Sequence, residues 1–198
     1  FKDAIKKFVD GTNIPGPSTW EAGYYPDGQA DYPVSGISWF EANAYAKYVN
    51  KSLPSLYHWN RAADTRSSGA IIPKSNFNGK NTLAVGSAGG VSSFGNYDMA
   101  GNVREWCENK SSENTRVILG GGFDDLTYMF TDFYAQGPWM RGSTNGFRCM
   151  KEIGASNQNA YKEISLPFRD YYTEEPVTDE TFNFFLKQFD YDKTPLEA

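Results

Sequence analysis

Residues 98–106 read Asp98-Met-Ala-Gly-Asn-Val-Arg-Glu-Trp106, two carboxylates spaced around a tight glycine with a tryptophan directly after them. Hard oxygen donors on such a turn are what a calcium ion takes, and the acidic pattern is too short for an EF-hand loop. The alternative is a solvated turn in which Asp98 caps the next segment. Downstream, Arg116-Val-Ile-Leu119 is the best strand candidate, and Gly120-Gly-Gly122 lets the backbone turn or approach a neighbour closely. Upstream, Ser38-Trp-Phe-Glu41 has capping-box form and predicts a helix to about Val49. A second helix is expected from Ser55, just after Pro54, with Leu56, Trp59 and Ala62 or Ala63 on its inner face.

Further out the pattern loosens. Residues 65–96 are dominated by Gly, Ser and Asn and read as mostly loop, and residues 12–35 are rich in Pro, Gly and Tyr and read as one long irregular segment. Phe1, Ile5, Phe8 and Val9 recur at helical spacing until Gly11, so a helix is expected at the start of the chain. At the other end, residues 151–176 read as an acidic, polar linker, and Thr178 should cap a helix bearing Phe182, Phe185, Leu186 and Phe189.

Composition narrows the class. The chain has 198 residues, 39% hydrophobic, 22% charged and 16% aromatic, which suits one domain with or without an appendage and neither a disordered chain nor a coiled coil. No run approaches the ~20 apolar residues of a membrane span, and no signal-peptide pattern opens the chain. Net charge is −5, yet residues 1–150 balance 14 basic against 14 acidic side chains, so the whole excess lies in residues 151–198, with 5 against 10. Without a basic stripe a nucleic-acid footprint is not expected. Two cysteines, Cys107 and Cys149, are too few for a four-cysteine zinc site, and the single His58 rules out a three-histidine centre built within this chain.

Six groups of motifs then fall in a telling order: Pro33-Val34 with Ile37-Ser-Trp-Phe40; Ala44-Tyr45; Lys51-x-Leu-Pro54 with Trp59 and Ala62-Ala63; Gly101-Asn-Val-Arg-Glu-Trp106; Arg116-Val-x-x-Gly-Gly121; and Gly146-Phe-Arg148. This order resembles the formylglycine-generating enzyme or sulfatase-modifying factor family and covers residues 1–150. The resemblance implies an irregular, loop-rich α+β fold related to C-type lectins. A family domain normally opens with strands before its first helix. Those strands are missing here, as if the chain were a fragment or the strands were supplied otherwise. Residues 151–198 then form an acidic linker or arm ending in the amphipathic helix.

In the family's enzymes two cysteines five residues apart, a little past the Gly-Gly pair, bind copper and oxidise a cysteine of the client sulfatase. Counting from Gly121 without gaps puts Phe130 and Ala135 at those places. A copper(I) site needs thiolates, which Phe and Ala do not offer, so no copper is expected. The family's Arg-Gly-Gly-Ser-Trp is also changed, to Leu119-Gly-Gly-Gly-Phe123. Cys149 often pairs in the family with a cysteine on the first long helix. Ala46 stands at the matching position, so two free cysteines are expected. His58 is read as a structural or surface residue.

Positively, the resemblance implies calcium in the 98–105 loop, held by the side chains of Asp98 and Glu105 and the backbone carbonyls of Gly101 and Val103. The family's other calcium loop is poorly matched, with Asn76-Phe77 its only candidate start. A ligand groove lined by Phe123, Tyr134, Trp139 and Arg141 is expected to persist and to suit a peptide or a sugar ring, although most of these aromatics could equally be core. Sugar-binding tripeptides of mannose-type lectins are absent.

The leading expectation is a non-catalytic, calcium-stabilised binding or structural module of a larger multidomain protein, of the kind fused to kinase or hydrolase domains in bacteria. Its partners would be flanking domains or a peptide, with a possible dimer through the C-terminal arm. The alternatives are a formylglycine-generating oxidase acting on a sulfatase cysteine, and a carbohydrate-binding module. The compartment stays open, with a slight lean to the extracytoplasmic side; Asn50-Lys-Ser52 and Asn109-Lys-Ser111 match the glycosylation triplet.

Overall fold

A computed structural model describes residues 6–112, 114–165 and 175–188. Its contacts divide the chain into two units, 1–165 and 166–198. The first unit mixes short helices and strands in a largely irregular chain. Its helices are α1 (Trp39–Tyr48), α2 (Leu56–Ala63) and α3 (Ser68–Ile71), and its strands are β1 (Arg104–Ser111), β2 (Thr115–Leu119), β3 (Ala135–Gln136) and β4 (Asn145–Gly146). Both expected helices form where their caps place them. The Ser38 hydroxyl accepts from the Glu41 amide while the Glu41 carboxylate takes the Ser38 amide, and the Ser55 hydroxyl accepts from the His58 amide.

The sheet runs β3-β2-β1-β4, with β1 antiparallel to β2, β2 antiparallel to β3, and β1 parallel to β4. The strand expected at Arg116–Leu119 forms as β2, whereas β1 carries no strand signal in the sequence, because Arg104-Glu-Trp-Cys-Glu-Asn-Lys-Ser111 lacks a clean alternation of polar and apolar residues. The reason is burial on both faces. Successive side chains of a strand point to opposite sides, and here both sides are covered. Trp106 and Ile118 join Trp39, Ala42, Ala46 and Leu53 under α1, whereas Cys107, Val117 and Leu119 join Trp59, Ala63 and Phe130 under α2. Each buried indole finds an acceptor: Trp39 Nε1 donates to the Cys107 carbonyl at 2.8 Å, Trp106 Nε1 to the Ile37 carbonyl at 3.0 Å and Trp59 Nε1 to Glu105 Oε2 at 2.7 Å.

Two glycines of the family motifs are required by close approach. A Cβ on Gly101 would lie 2.3 Å from the Asn76 carbonyl oxygen, at φ 72°, and one on Gly146 would lie 2.8 Å from both the Val34 carbonyl and the Val103 side chain. They let the 98–105 loop and the Gly-Phe-Arg strand pack backbone to backbone.

The start of the chain departs from expectation. Of the predicted helix, Phe1 and Ile5 lie outside the described residues, and Phe8 and Val9 are not helical: Val9 pairs with Pro15 in an antiparallel bridge. Side chains dictate this. Asp10 accepts from the amides of Thr12, Ile14 and Gly23 and from the Thr12 hydroxyl, which folds residues 10–23 around one carboxylate. Arg141 then clamps the segment, donating to the carbonyls of Val9 at 2.7 Å, Gly16 at 2.6 Å and Lys7 at 3.2 Å and pairing in a fork with Glu41 at 2.9 and 3.0 Å.

At the other end residues 151–165 are part of the first unit, which runs to Ser165. Buried Asn109 makes the difference: Nδ2 donates to the carbonyls of Ala160 and Lys162, and Oδ1 accepts from the Leu56 amide. The Ile164 amide adds a bond to the Lys110 carbonyl at 2.8 Å. In the second unit, α4 (Asp179–Gln188) forms behind Thr178, whose hydroxyl accepts from the Thr181 amide, and Phe182, Phe184, Phe185 and Leu186 are exposed on it. Phe189 lies outside the described residues. Among the described residues no helix is long and apolar enough to cross a membrane.

Replacing Arg141 by Ala strands the Glu41 carboxylate, largely shielded from solvent, and frees three carbonyls, so it should cost about 3 kcal/mol in urea unfolding and raise amide exchange over residues 7–23. Unchanged exchange there would show that the clamp does not hold the segment.

Asp10 supplies an acid-side signature. Burial works to raise its pKa, but the hydrogen bonds from Gly23, Thr12 and Ile14 prevail and hold it at about 2. A carboxylate with a depressed folded pKa stabilises above its unfolded value and loses that contribution as pH falls through the folded one. Wild type should therefore lose stability between pH ~4 and ~2, and Asp10→Asn should flatten that part of the curve.

Candidate functional site

The 98–105 loop is curled by Asp98, Gly101 and Asn102, all in the left-handed region at φ 53°, 72° and 62°. Asn102 knits it to the chain before it: Oδ1 accepts from the Leu83 amide and Asn76 Nδ2, and Nδ2 donates to the Leu83 carbonyl. Asp98 Oδ2 accepts from the Gly86 amide at 2.6 Å. Glu105, 4% exposed, holds three donors: Trp59 Nε1 at 2.7 Å, Arg148 Nε at 2.5 Å and Arg148 Nη2 at 2.6 Å. The structure thus joins two of the sequence motifs, with the arginine of Gly146-Phe-Arg148 seated on the glutamate of Gly101-Asn-Val-Arg-Glu105. Arg148 was not among the expected site residues.

Of the four residues expected to hold calcium, Asp98, Val103 and Glu105 line one wall of a large cleft of about 1010 Å³, together with Arg148, Tyr97 and Phe147. Among the described residues no three His, Cys, Asp or Glu side chains gather as a metal centre, so a cation here would rest on two carboxylates and backbone carbonyls.

The four residues expected to line a groove are dispersed. Phe123 lines a smaller cavity of about 230 Å³, whereas Tyr134, Trp139 and Arg141 line neither this cavity nor the large cleft. Tyr134 lies under the Arg104 guanidinium at 4.3 Å, and Arg104 is in turn paired with Asp125. Arg104 Nη1 is buried with no hydrogen-bond acceptor and has this ring face nearby instead. Trp139 is packed between Phe8 and Phe40, and Arg141 is spent on the clamp.

Both cysteines are free. Cys107 is fully buried in the core under α2, where burial pushes its thiol pKa well up, with Glu105 and Glu108 adding to the effect. Cys149 packs against the other core, the one containing Ala46, and burial raises its thiol too, against the pull of Lys51. Phe130, counted at one copper-cysteine position, is 1% exposed and meets Trp59 edge to face, and Ala135 lies in β3. His58 closes a structural link: Nδ1 bonds the Ser55 hydroxyl at 2.8 Å, and Nε2 lies 3.9 Å from Glu152, which also accepts from Tyr161. Asn109 is sealed in the interior and closed to glycosylation, while Asn50 is exposed.

A domain profile described as "Sulfatase-modifying factor enzyme 1-like domain" matches residues 5–153. The chain belongs to this family. Among curated proteins it is similar to the serine/threonine-protein kinase Pkn1 of Chlamydia trachomatis serovar L2, at 33% identity over 157 residues, 64% of this chain and 25% of the kinase. It is also similar to the inactive C-alpha-formylglycine-generating enzyme 2 of Bos taurus, at 27% identity over 63% of this chain and 52% of that protein. The sulfatase-modifying-factor-like chain thus spans a quarter of the kinases it matches and about half of the bovine protein. Two solved structures share the fold: CarF, with TM-score 0.52 and 22% identity over 68% of this chain and 73% of that one, and Treponema denticola variable protein 1, with TM-score 0.51 and 17% identity over 63% and 73%.

Thiol counting in denaturant without reductant should find two free groups per chain, and finding none in the monomer would contradict the separate placement of Cys107 and Cys149.

Proposed function

We propose that this domain is a non-catalytic binding or structural module of a larger multidomain protein, stabilised by calcium. The observation that carries the reading is the placement of the two thiols. Each is packed against a different core and shifted by burial toward the protonated form, so they do not offer a copper ion the paired, accessible thiolates it takes. The names of the relatives point the same way. The bovine relative is called inactive, and the chlamydial relatives are protein kinases of which the match covers a quarter. Flanking domains or a peptide would then be the partners.

Calcium belongs to this reading, with the carboxylates of Asp98 and Glu105 and the carbonyls of Gly101 and Val103 as the residues that would hold it. The donor type fits a hard cation. Glu105 would share its oxygens with Arg148 and Trp59, whereas the Asp98 carboxylate accepts from the Gly86 amide and feels the Arg148 charge without forming an ion pair with it among the described residues.

One set of measurements addresses both halves. Copper(I) titration with oxygen uptake on a cysteine peptide should give neither stoichiometric binding nor turnover, and turnover would establish the oxidase instead. Thermal melting should shift down on chelation and recover with calcium, and Asp98→Asn should remove the difference. A melting curve indifferent to chelator would remove calcium from the reading while leaving the module intact.

A further inference from the structure

We propose that the 230 Å³ cavity beside Trp20 and Phe123 is a binding site for a neutral, hydroxylated ring, that is, one sugar unit of a glycan, recognised without metal. The inference rests on the binding-module reading and gives that module a ligand class. Fourteen residues line the cavity, and none is Asp, Glu, Lys, Arg or His. Such neutrality is uncommon in a chain with 22% charged residues, and it contrasts with the large cleft, whose lining includes Glu41, Asp98, Glu105 and Arg148. A charged ligand would lose its hydration here and meet no counter-charge.

The lining supplies two complementary kinds of surface. Trp20, Tyr25, Tyr32 and Phe123 provide aromatic surface, against which the C–H face of a pyranose can pack while shedding water. Gln29, Asn81, Thr82 and Ser143 provide amide and hydroxyl groups that both donate and accept. Among the described residues the side chains of these four make no hydrogen bond within the protein, so they are free to receive sugar hydroxyls. Thr19 is committed elsewhere, donating to the Ser35 carbonyl at 2.8 Å.

Size and stiffness agree with one ring. The volume equals that of roughly eight waters, enough for a hexose and too little for the successive side chains of a docked peptide. Trp20, Tyr25, Ala30, Pro33 and Val34 line both the cavity and the large cleft, and Pro26 lines the cavity alone, so with two prolines part of the surface has few rotamers to lose on binding. The lectin tripeptides missing from the sequence serve sugar recognition through a metal, which this arrangement does not need.

The test uses ¹⁵N-labelled protein in the presence of chelator, titrated with methyl β-glucopyranoside, maltose and cellobiose. At least one should give saturable amide shifts confined to residues 19–35, 81–82, 123 and 143, with a Kd of about 1 mM. Tyr25→Ala, at a half-exposed position, should keep the melting transition and weaken binding about tenfold. Gln29→Ala serves as a second variant should the first unfold. Absence of saturable shifts with all three sugars in folded wild-type protein would overturn the proposal, as would methyl β-glucuronide binding as tightly as the neutral glucoside. Neither result depends on copper or oxygen, so the non-catalytic reading stands or falls separately.

Discussion

The carboxylate of Glu105 is the point on which the rest of the first unit hangs. It is buried, it sits at the start of β1 opposite Leu119 on one side and Gly146 on the other, and it holds the Trp59 indole and the Arg148 guanidinium at once. A buried charge is tolerated only when its oxygens are matched, and three donors match these. The requirement in turn dictates where α2 lies, since Trp59 is on it, and how the Gly-Phe-Arg strand enters the sheet. Glu105 therefore acts as a junction of α2, the sheet and the segment that follows β4.

The same device recurs elsewhere in the domain. A fold with so little regular structure leaves many backbone amides and carbonyls without ladder partners, and buried ones must still be satisfied. Side chains do this work: Asp10 gathers the amides of residues 12–23, Arg141 gathers the carbonyls of Lys7, Val9 and Gly16, Asn102 ties two loops together, and Asn109 draws residues 160–162 onto β1. Each is a polar residue that composition alone assigns to the surface. Buried or largely shielded from solvent, these side chains explain how residues 6–35 and 151–165 are held with a single 3-10 turn (Gln158–Tyr161) and no α-helix or long strand.

This construction separates fold from chemistry. The family's loops and glycines hold the Glu105 junction, while Phe130 and Ala135 extend core and sheet where copper cysteines were counted. The surface is left with a large cleft whose wall carries charge and a small cavity whose lining carries none. Neither needs a reactive thiol to bind something. A scaffold held by internal polar junctions keeps its fold whatever side chains stand at positions 130 and 135, because fold and chemistry depend on different residues.

The sequence by itself determined what depends on near neighbours along the chain. The helices behind Ser38 and Ser55 were legible because their caps act within three residues, β2 was legible as a run of branched apolar side chains, and the motif order sufficed for the family. Tertiary structure alone decided the rest. Of the helix expected at the start, Phe8 and Val9 instead follow the hold of Asp10 and Arg141 on residues 7–23, Asn109 binds residues 160–162, and Tyr134, Trp139 and Arg141 each have a partner inside the domain. Arg148 reaches Glu105 across 43 positions and Trp59 across 46. No local propensity encodes such pairs, because their free energy exists only once the intervening chain has folded and excluded water from around the charge.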